Sequence, residues 1–417
     1  MPTPTKRLKV LLSAYACEPN RGSEPGVGWR WTGGLAELVD LKVLTRESNR
    51  STIETAIQSS PLTSPLRRVQ FYYDDLGVHA LRLKASGWLP TFVYYVLWQR
   101  RVASRFAKLA DDMDIVHHLT FCSLLCPGLW RLRHAASVIG PIGAPLVPSE
   151  YVSLFGRSAA LQIIRGMIMR NFYRMPWLRR VLGQAKAIIP ANTDTSNLLT
   201  AHGFLVEPVM LDTGAPETIP YKRDHNPETV RFLYAGQLER RKGLELSLRA
   251  LAKVRSKNWS FTLVGDGPDM SRLVSISREL CLDQQVTFVG RVAHELVNSY
   301  MAESDVFLFT SLRDTSGGVN LEAMAAGLPL ICLSHQGVHD VTDESCAERI
   351  PPGTISETIR LLADAIDRMI ANPLQREQMG RCGARRARTN YNWQKKFDAM
   401  TNLYAKILES KTTDTKA

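Results

Sequence analysis

Apolar positions along the chain fall in short unbroken runs, with stretches of helical periodicity between them. In the first half the runs are LKVLLSAY (residues 8–15), LKVLT (41–45), VQFYY (69–73), DIVHH (114–118), ASVIG (136–140) and AIIP (187–190). In the second half they are VRFLYAG (230–236), FTLVGDG (261–267), VTFVG (286–290), DVFLFTS (305–311) and PLICL (329–333). Strands that are apolar on both sides belong in parallel sheets covered by helices on both faces. The alternation therefore predicts an α/β protein with two Rossmann-like, doubly wound parallel-sheet domains. The polar, proline-bearing stretch 213–229 divides the two sets. It sets an N-terminal domain of residues 1–213 and a second domain of residues 214–392. Residues 393–417 read as an amphipathic helix, expected to pack back on the first domain, and a polar tail. Two such sheets face a central cleft, and ligands bind beyond the carboxyl ends of the strands.

The chemistry-bearing motifs lie just after strands. In RDTSGGVNLEAMAAGLP (313–329), Asp314 precedes a Ser316-Gly317-Gly318 turn, and Glu322 interrupts an otherwise apolar helix. Burying an unpaired carboxylate is costly. Glycines at a helix start let an anion approach the free backbone N–H groups, and a carboxylate placed in the first turn can accept both hydroxyls of a ribose. The plainer reading is a glycine turn with an acid compensating the helix start. In YAGQLERRKGLEL (234–246), Gly236 ends a strand, and Arg240, Arg241 and Lys242 precede Gly243 and a helix. Cations at a helix entry oppose the helix dipole unless an anion binds there; a solvated basic loop is the alternative. His117 and His118 end a strand with side chains on opposite faces, one for the core and one expected at the cleft. In ACEPNRGSEPGVGWRW (16–31) the glycines are too far from the strand, and Trp31 stands where a third glycine belongs, so a dinucleotide fingerprint is excluded.

Taken together, these motifs resemble glycosyltransferase family 4, the retaining, sugar-nucleotide-dependent enzymes of the GT-B fold. The resemblance is carried by Asp314 and Glu322 with seven residues between them, by Gly236, Lys242 and Gly243, and by VGDGP and EAMAAGLPLI. CEPNRGSEPGVGW and GPIGA look like the members that build bacterial exopolysaccharide or antigen chains. The resemblance implies transfer of a sugar from a nucleoside diphosphate sugar to a hydroxyl of a glycan acceptor, expected to be lipid-linked, in polysaccharide biosynthesis. Glu322 would hold the donor ribose and Asp314 the sugar ring. Lys242, Arg240, Arg241, Gly236, Ser316, Gly317, Gly318 and Val319 would line the donor site, with Gly22 approaching from the first domain. His117 or His118 would face the reacting sugar. It implies no cofactor and no metal. Two departures stand out: Asp314 replaces a glutamate, and Gln237 replaces an arginine of the phosphate clamp. They leave open a non-catalytic protein that binds a nucleotide sugar or lipid, and an epimerase or phosphorylase on the same fold is a further alternative.

Charge adds a partner. The net charge is +12; residues 1–213 hold 25 Lys and Arg against 15 acids, while residues 214–417 hold 27 against 25. Residues 76–110 and 151–193 contain no acid, and both interleave arginines with large apolar residues, Trp in both and Ile and Met in the second. That pattern suits an anionic membrane surface better than nucleic acid, and merely solvated arginines are the alternative. No run is long enough to span a bilayer, the N-terminal apolar run is too short for an export signal, and seven cysteines without a zinc pattern read as reduced thiols. The expected location is the cytoplasm, peripherally on the inner face of the membrane.

Overall fold

The computed structural model describes residues 7–84, 88–121, 123–216 and 229–414. It contains two six-stranded sheets. The first is built from Lys9–Ala14 (β1), Asp40–Thr45 (β2), Gln70–Tyr73 (β3), Ile115–Thr120 (β4), Ala136–Ile142 (β5) and Ala187–Pro190 (β6). The second is built from Val230–Ala235 (β7), Trp259–Val264 (β8), Val286–Gly290 (β9), Val306–Phe309 (β10), Leu330–Leu333 (β11) and Ala347–Ile350 (β12). Every pairing of neighbouring strands is parallel. The orders are β3-β2-β1-β4-β5-β6 and β12-β11-β10-β7-β8-β9. Numbered within its own half, the second order is the first read backwards, so both sheets share one doubly wound topology.

Each apolar run predicted from the sequence forms a strand. The unpredicted one, β12, is the short edge sequence AERI, in which Glu348 and Arg349 are only half-buried. The central strands are buried along their length because helices cover both faces; β4 and β10 show no exposed residue. The linker expected at 213–229 lies mostly outside the described residues, as do residues 415–417 of the tail.

The two halves exchange segments. The last helix, Trp393–Asp414, leaves the second sheet and packs against the first. Trp393, Phe397, Met400, Tyr404 and Ile407 are buried there with Trp31 and Leu35. Gly34 permits this contact, since a Cβ there would lie 2.0 Å from the Phe397 ring. Each large side chain so buried contributes about 1.5–3 kcal/mol. In the other direction, the tight helical stretch Ser149–Ser158 of the first half enters the core of the second. Tyr151 is fully buried, its hydroxyl 2.8 Å from Thr358 Oγ1, and it accepts from the Gly353 amide at 3.1 Å.

Candidate active site

In the second sheet, β7 and β10 are neighbours from which the chain departs in opposite directions. A crevice at the strand ends is the consequence. The loop after β7 reaches it through two glycines. Gly236 sits at φ 148°, and a Cβ there would press to 2.9 Å from the Tyr234 hydroxyl. Gly243 sits at φ 64°, and a Cβ there would strike the Thr310 carbonyl at 2.2 Å. Between them the short helical turn Arg240–Lys242 carries the basic cluster.

The three cations separate. Lys242 is 9% exposed and ion-pairs with Asp314, which arrives on the loop after β10. Arg241 pairs with Glu239, donates to Gln237 Oε1 at 3.3 Å and stands 4.0 Å from Asp314. Arg240 turns away, to Asp269 at 3.5 Å and the Leu154 carbonyl at 2.9 Å. Burial alone would raise the Asp314 carboxyl, but Lys242 and Arg241 outweigh it and hold it below the usual carboxylate range. For Lys242 burial prevails over the pull of Asp314, and the ammonium is pushed down.

Gly317, at φ 61°, begins the helix Gly318–Ala325. Its first amides have no partner within the helix, and a helix start of this kind attracts anions. Glu322 lies in the second turn of this helix rather than the first, and it is half-buried. Burial pushes its carboxyl up, and nearby His294 acts against that rise. A side chain at Gly22 would begin 3.7 Å from His294 Nδ1. Gly22 of the first half thus faces the second across the cleft. Ser316 is buried beside Asp212, and Val319 packs on the core of the second half.

His117 and His118 do not reach this space. His117 is fully buried between the Tyr404 hydroxyl at 2.5 Å and the Gly140 carbonyl at 2.6 Å. His118, on the opposite face, meets the Tyr95 hydroxyl at 2.7 Å. Burial pushes the rings down to about 4 and about 3, so both stay neutral. The expectation that one of them faces the cleft is corrected: both faces of a parallel sheet are roofed by helices, and alternation only assigns a roof. From β4, Thr120 borders the cleft instead, beside Leu119.

Several neighbours escaped the sequence reading. Thr315 fits against Gly143, where a Cβ would lie 2.5 Å from Thr315 Cγ2, and its carbonyl accepts from Asn192 Nδ2 at 2.8 Å. Gln336 accepts from the Asp314 amide at 2.5 Å, donates to the Leu146 carbonyl, and its own amide donates to Asp194 at 3.0 Å. These bonds fix the Asp314 loop from the first half. Glu24, Asp212, Arg165 and Arg313 also border the site; all but Asp212 sat inside stretches singled out above, without a spacing that marked them. Among the described residues no group of His, Cys, Asp and Glu is arranged to hold a metal ion.

Comparison with known proteins identifies the second half. Residues 217–386 match the family Glycosyl transferases group 1. This stretch is a glycosyl transferases group 1 domain. The chain is 28% identical to the alpha-D-kanosaminyltransferase of Streptomyces kanamyceticus over 178 residues, which are 42% of this chain and 45% of that protein. The chain thus spans less than half the length of that relative. Sucrose-phosphate synthase from Thermosynechococcus elongatus superposes with a TM-score of 0.66 at 18% identity, covering 97% of this chain and all (100%) of that one. Anabaena HepE, solved with UDP and glucose, gives a TM-score of 0.58 at 14% identity, covering 97% of this chain and 100% of its own. The fold is that of the GT-B glycosyltransferases.

Proposed function

We propose that the protein is a retaining glycosyltransferase of family 4. It moves a sugar from a nucleoside diphosphate sugar to a hydroxyl of a lipid-linked glycan acceptor in polysaccharide biosynthesis. The observation that carries this reading is the meeting of Lys242, Arg241 and Asp314 with the Gly317–Gly318 helix start, at the switch point of a glycosyl transferases group 1 domain.

The chemistry follows from where charge develops. As the sugar–phosphate bond breaks, the leaving diphosphate gains negative charge, and donors aimed at it stabilise that state more than the ground state. Lys242, Arg241 and the helix amides are such donors. One of them is worth about 3 kcal/mol, or about two orders of magnitude in rate. Asp314 orients Lys242 and meets the sugar ring, and Glu322 takes the ribose hydroxyls. In this mechanism the departing phosphate accepts the acceptor's proton, the new bond forms on the face the leaving group vacates, and no protein nucleophile or divalent metal takes part.

The acceptor's carrier is inferred from the surface. On the helix Ala159–Arg170, Ile163, Ile164, Met167 and Ile168 are exposed, as is Trp177 beyond it. Arg170, Arg174, Arg179 and Arg180 flank them. Exposed apolar residues with an arginine rim suit an anionic bilayer surface, which favours peripheral attachment at the cytoplasmic leaflet. No helix among the described residues is long and apolar enough to cross a membrane.

A thermal-shift panel of UDP-, GDP- and ADP-sugars tests the donor, because a ligand bound only by the folded state raises the midpoint. Transfer in the presence of a chelator then tests the chemistry. Donor binding without hydrolysis or transfer would favour a non-catalytic binding protein, and sugar inversion without any acceptor would favour an epimerase.

A further inference from the structure

The cations of the donor clamp are already neutralised. Lys242 is paired with Asp314 and Arg241 with Glu239. Gln237, standing where the resembled family carries arginine, adds no charge. A diphosphate brings a negative charge on each phosphoryl group, so this clamp alone does not balance it.

Two further guanidinium groups stand at the same loops without a carboxylate. Arg313 directly precedes Asp314, and its Nη1 donates to Gln162 Oε1 at 2.7 Å. Arg165 lies three residues after Gln162 on the helix Ala159–Arg170, on the same face. Its Nη1 donates to the Pro145 carbonyl at 2.9 Å. Among the described residues neither arginine forms an ion pair; both hydrogen-bond to neutral oxygens, and the only acids acting on Arg313 through space are Glu239 and Asp314. Both are half-buried. Burial first, and then Arg241, pushes Arg165 down to about 10. Burial, Arg165 and Arg241 push Arg313 down to about 9, against the weaker pull of Glu239 and Asp314. Both remain cationic at neutral pH, so like charges are held together in a poorly hydrated place. Groups of this kind ordinarily come with a partner, and arginine's fork matches phosphoryl oxygens.

We infer that Arg165 and Arg313 are diphosphate ligands, and that they supply from the first half's helix and the Asp314 loop the positive charge that the Lys242 clamp lacks. This rests on the reading of the cleft as a nucleoside diphosphate sugar site and deepens it. The leaving group is then gripped by both halves, and donor binding draws them together over it.

The test titrates wild type, Arg165→Gln, Arg313→Gln and Arg165→Lys with inorganic pyrophosphate and with UDP, UMP, GDP, GMP, ADP and AMP, by calorimetry. Circular dichroism and thermal midpoints first establish that each variant is folded. Each Gln variant is expected to lose about tenfold or more in affinity for the diphosphate that wild type prefers. The matching monophosphate should change by less than about threefold, and Arg165→Lys should recover part of the loss. The salt dependence of diphosphate binding should weaken in the Gln variants. Unchanged diphosphate affinity in folded Gln variants overturns the inference and leaves the donor reading intact. Normal nucleotide affinity with transfer lost only to a phospholipid-linked acceptor in vesicles also overturns it, by assigning the pair to the acceptor. Wild type that binds no nucleoside diphosphate overturns the donor reading itself.

Discussion

The two sheets have the same topology, yet their switch points are furnished in opposite ways. In the second half, the ends of β7 and β10 bring Lys242 and Asp314 together as ions, and the carboxyl is held low. On the side of the first half, the end of β4 borders a cavity of about 30 Å3 lined by Glu24, Thr120, Pro141 and Asp212, with Thr315 reaching in from the second half. There burial and Asp212 push Glu24 up to about 8, with the Phe121 amide acting against them. Asp212 is raised too, by burial, against the pull of Ser316 and Lys396. One crevice is built to keep charge and the other to keep protons. The topology fixes where a ligand sits, and the loops decide what kind it is.

The sharpest way to break this contrast is to remove the charged side. Lys242→Ala is expected to lower the transfer rate by about two orders of magnitude or more, and Glu322→Ala by a similar factor. Near-wild-type turnover in steady-state kinetics would remove the second switch point from the mechanism. Arg241→Ala should cost about tenfold in kcat/KM, because Arg241 faces Asp314 as well as Glu239. The protonated side is probed by pH. Glu24 holds its proton to about pH 8 in the folded protein and releases it near 4.5 when unfolded. The folded state therefore binds more protons between those values, and stability falls as pH rises through that window. Glu24→Gln should flatten this slope when urea midpoints at pH 5 and pH 8.5 are compared; an unchanged slope would show that Glu24 ionises freely. The smallest effect is expected at Arg240→Ala, within about threefold of wild type in kcat/KM, because Arg240 is turned to Asp269 and Leu154. A large loss there would redraw the clamp. Independently, sedimentation with anionic vesicles should be strong at low salt and weak at high salt; no sedimentation at low salt would dissociate the Ile164–Met167 face from any bilayer.

The strands were legible because burial from both sides leaves an apolar run that no surface helix needs. AERI was not, since an edge strand with half-exposed Glu348 and Arg349 looks like a loop. Gly236, Gly243 and Gly317 were legible because their positive φ angles require glycine at tight entries. The sequence could not reveal that Lys242 meets Asp314 while Arg240 turns away, since that depends on which side of a single turn each side chain leaves. The histidines misled for a similar reason: a strand's alternation tells up from down, but not end from middle. Arg165 was hidden because its role depends on a helix of one half lying over a loop of the other.

The traded segments set an order of assembly. His117 and Trp31 lie under a roof whose ridge, from Trp393 to Ile407, follows the whole second sheet along the chain. The first sheet must therefore stay uncovered on that side until the second has been made, and a nascent chain stalled at residue 390 would leave Trp31 and Leu35 bare.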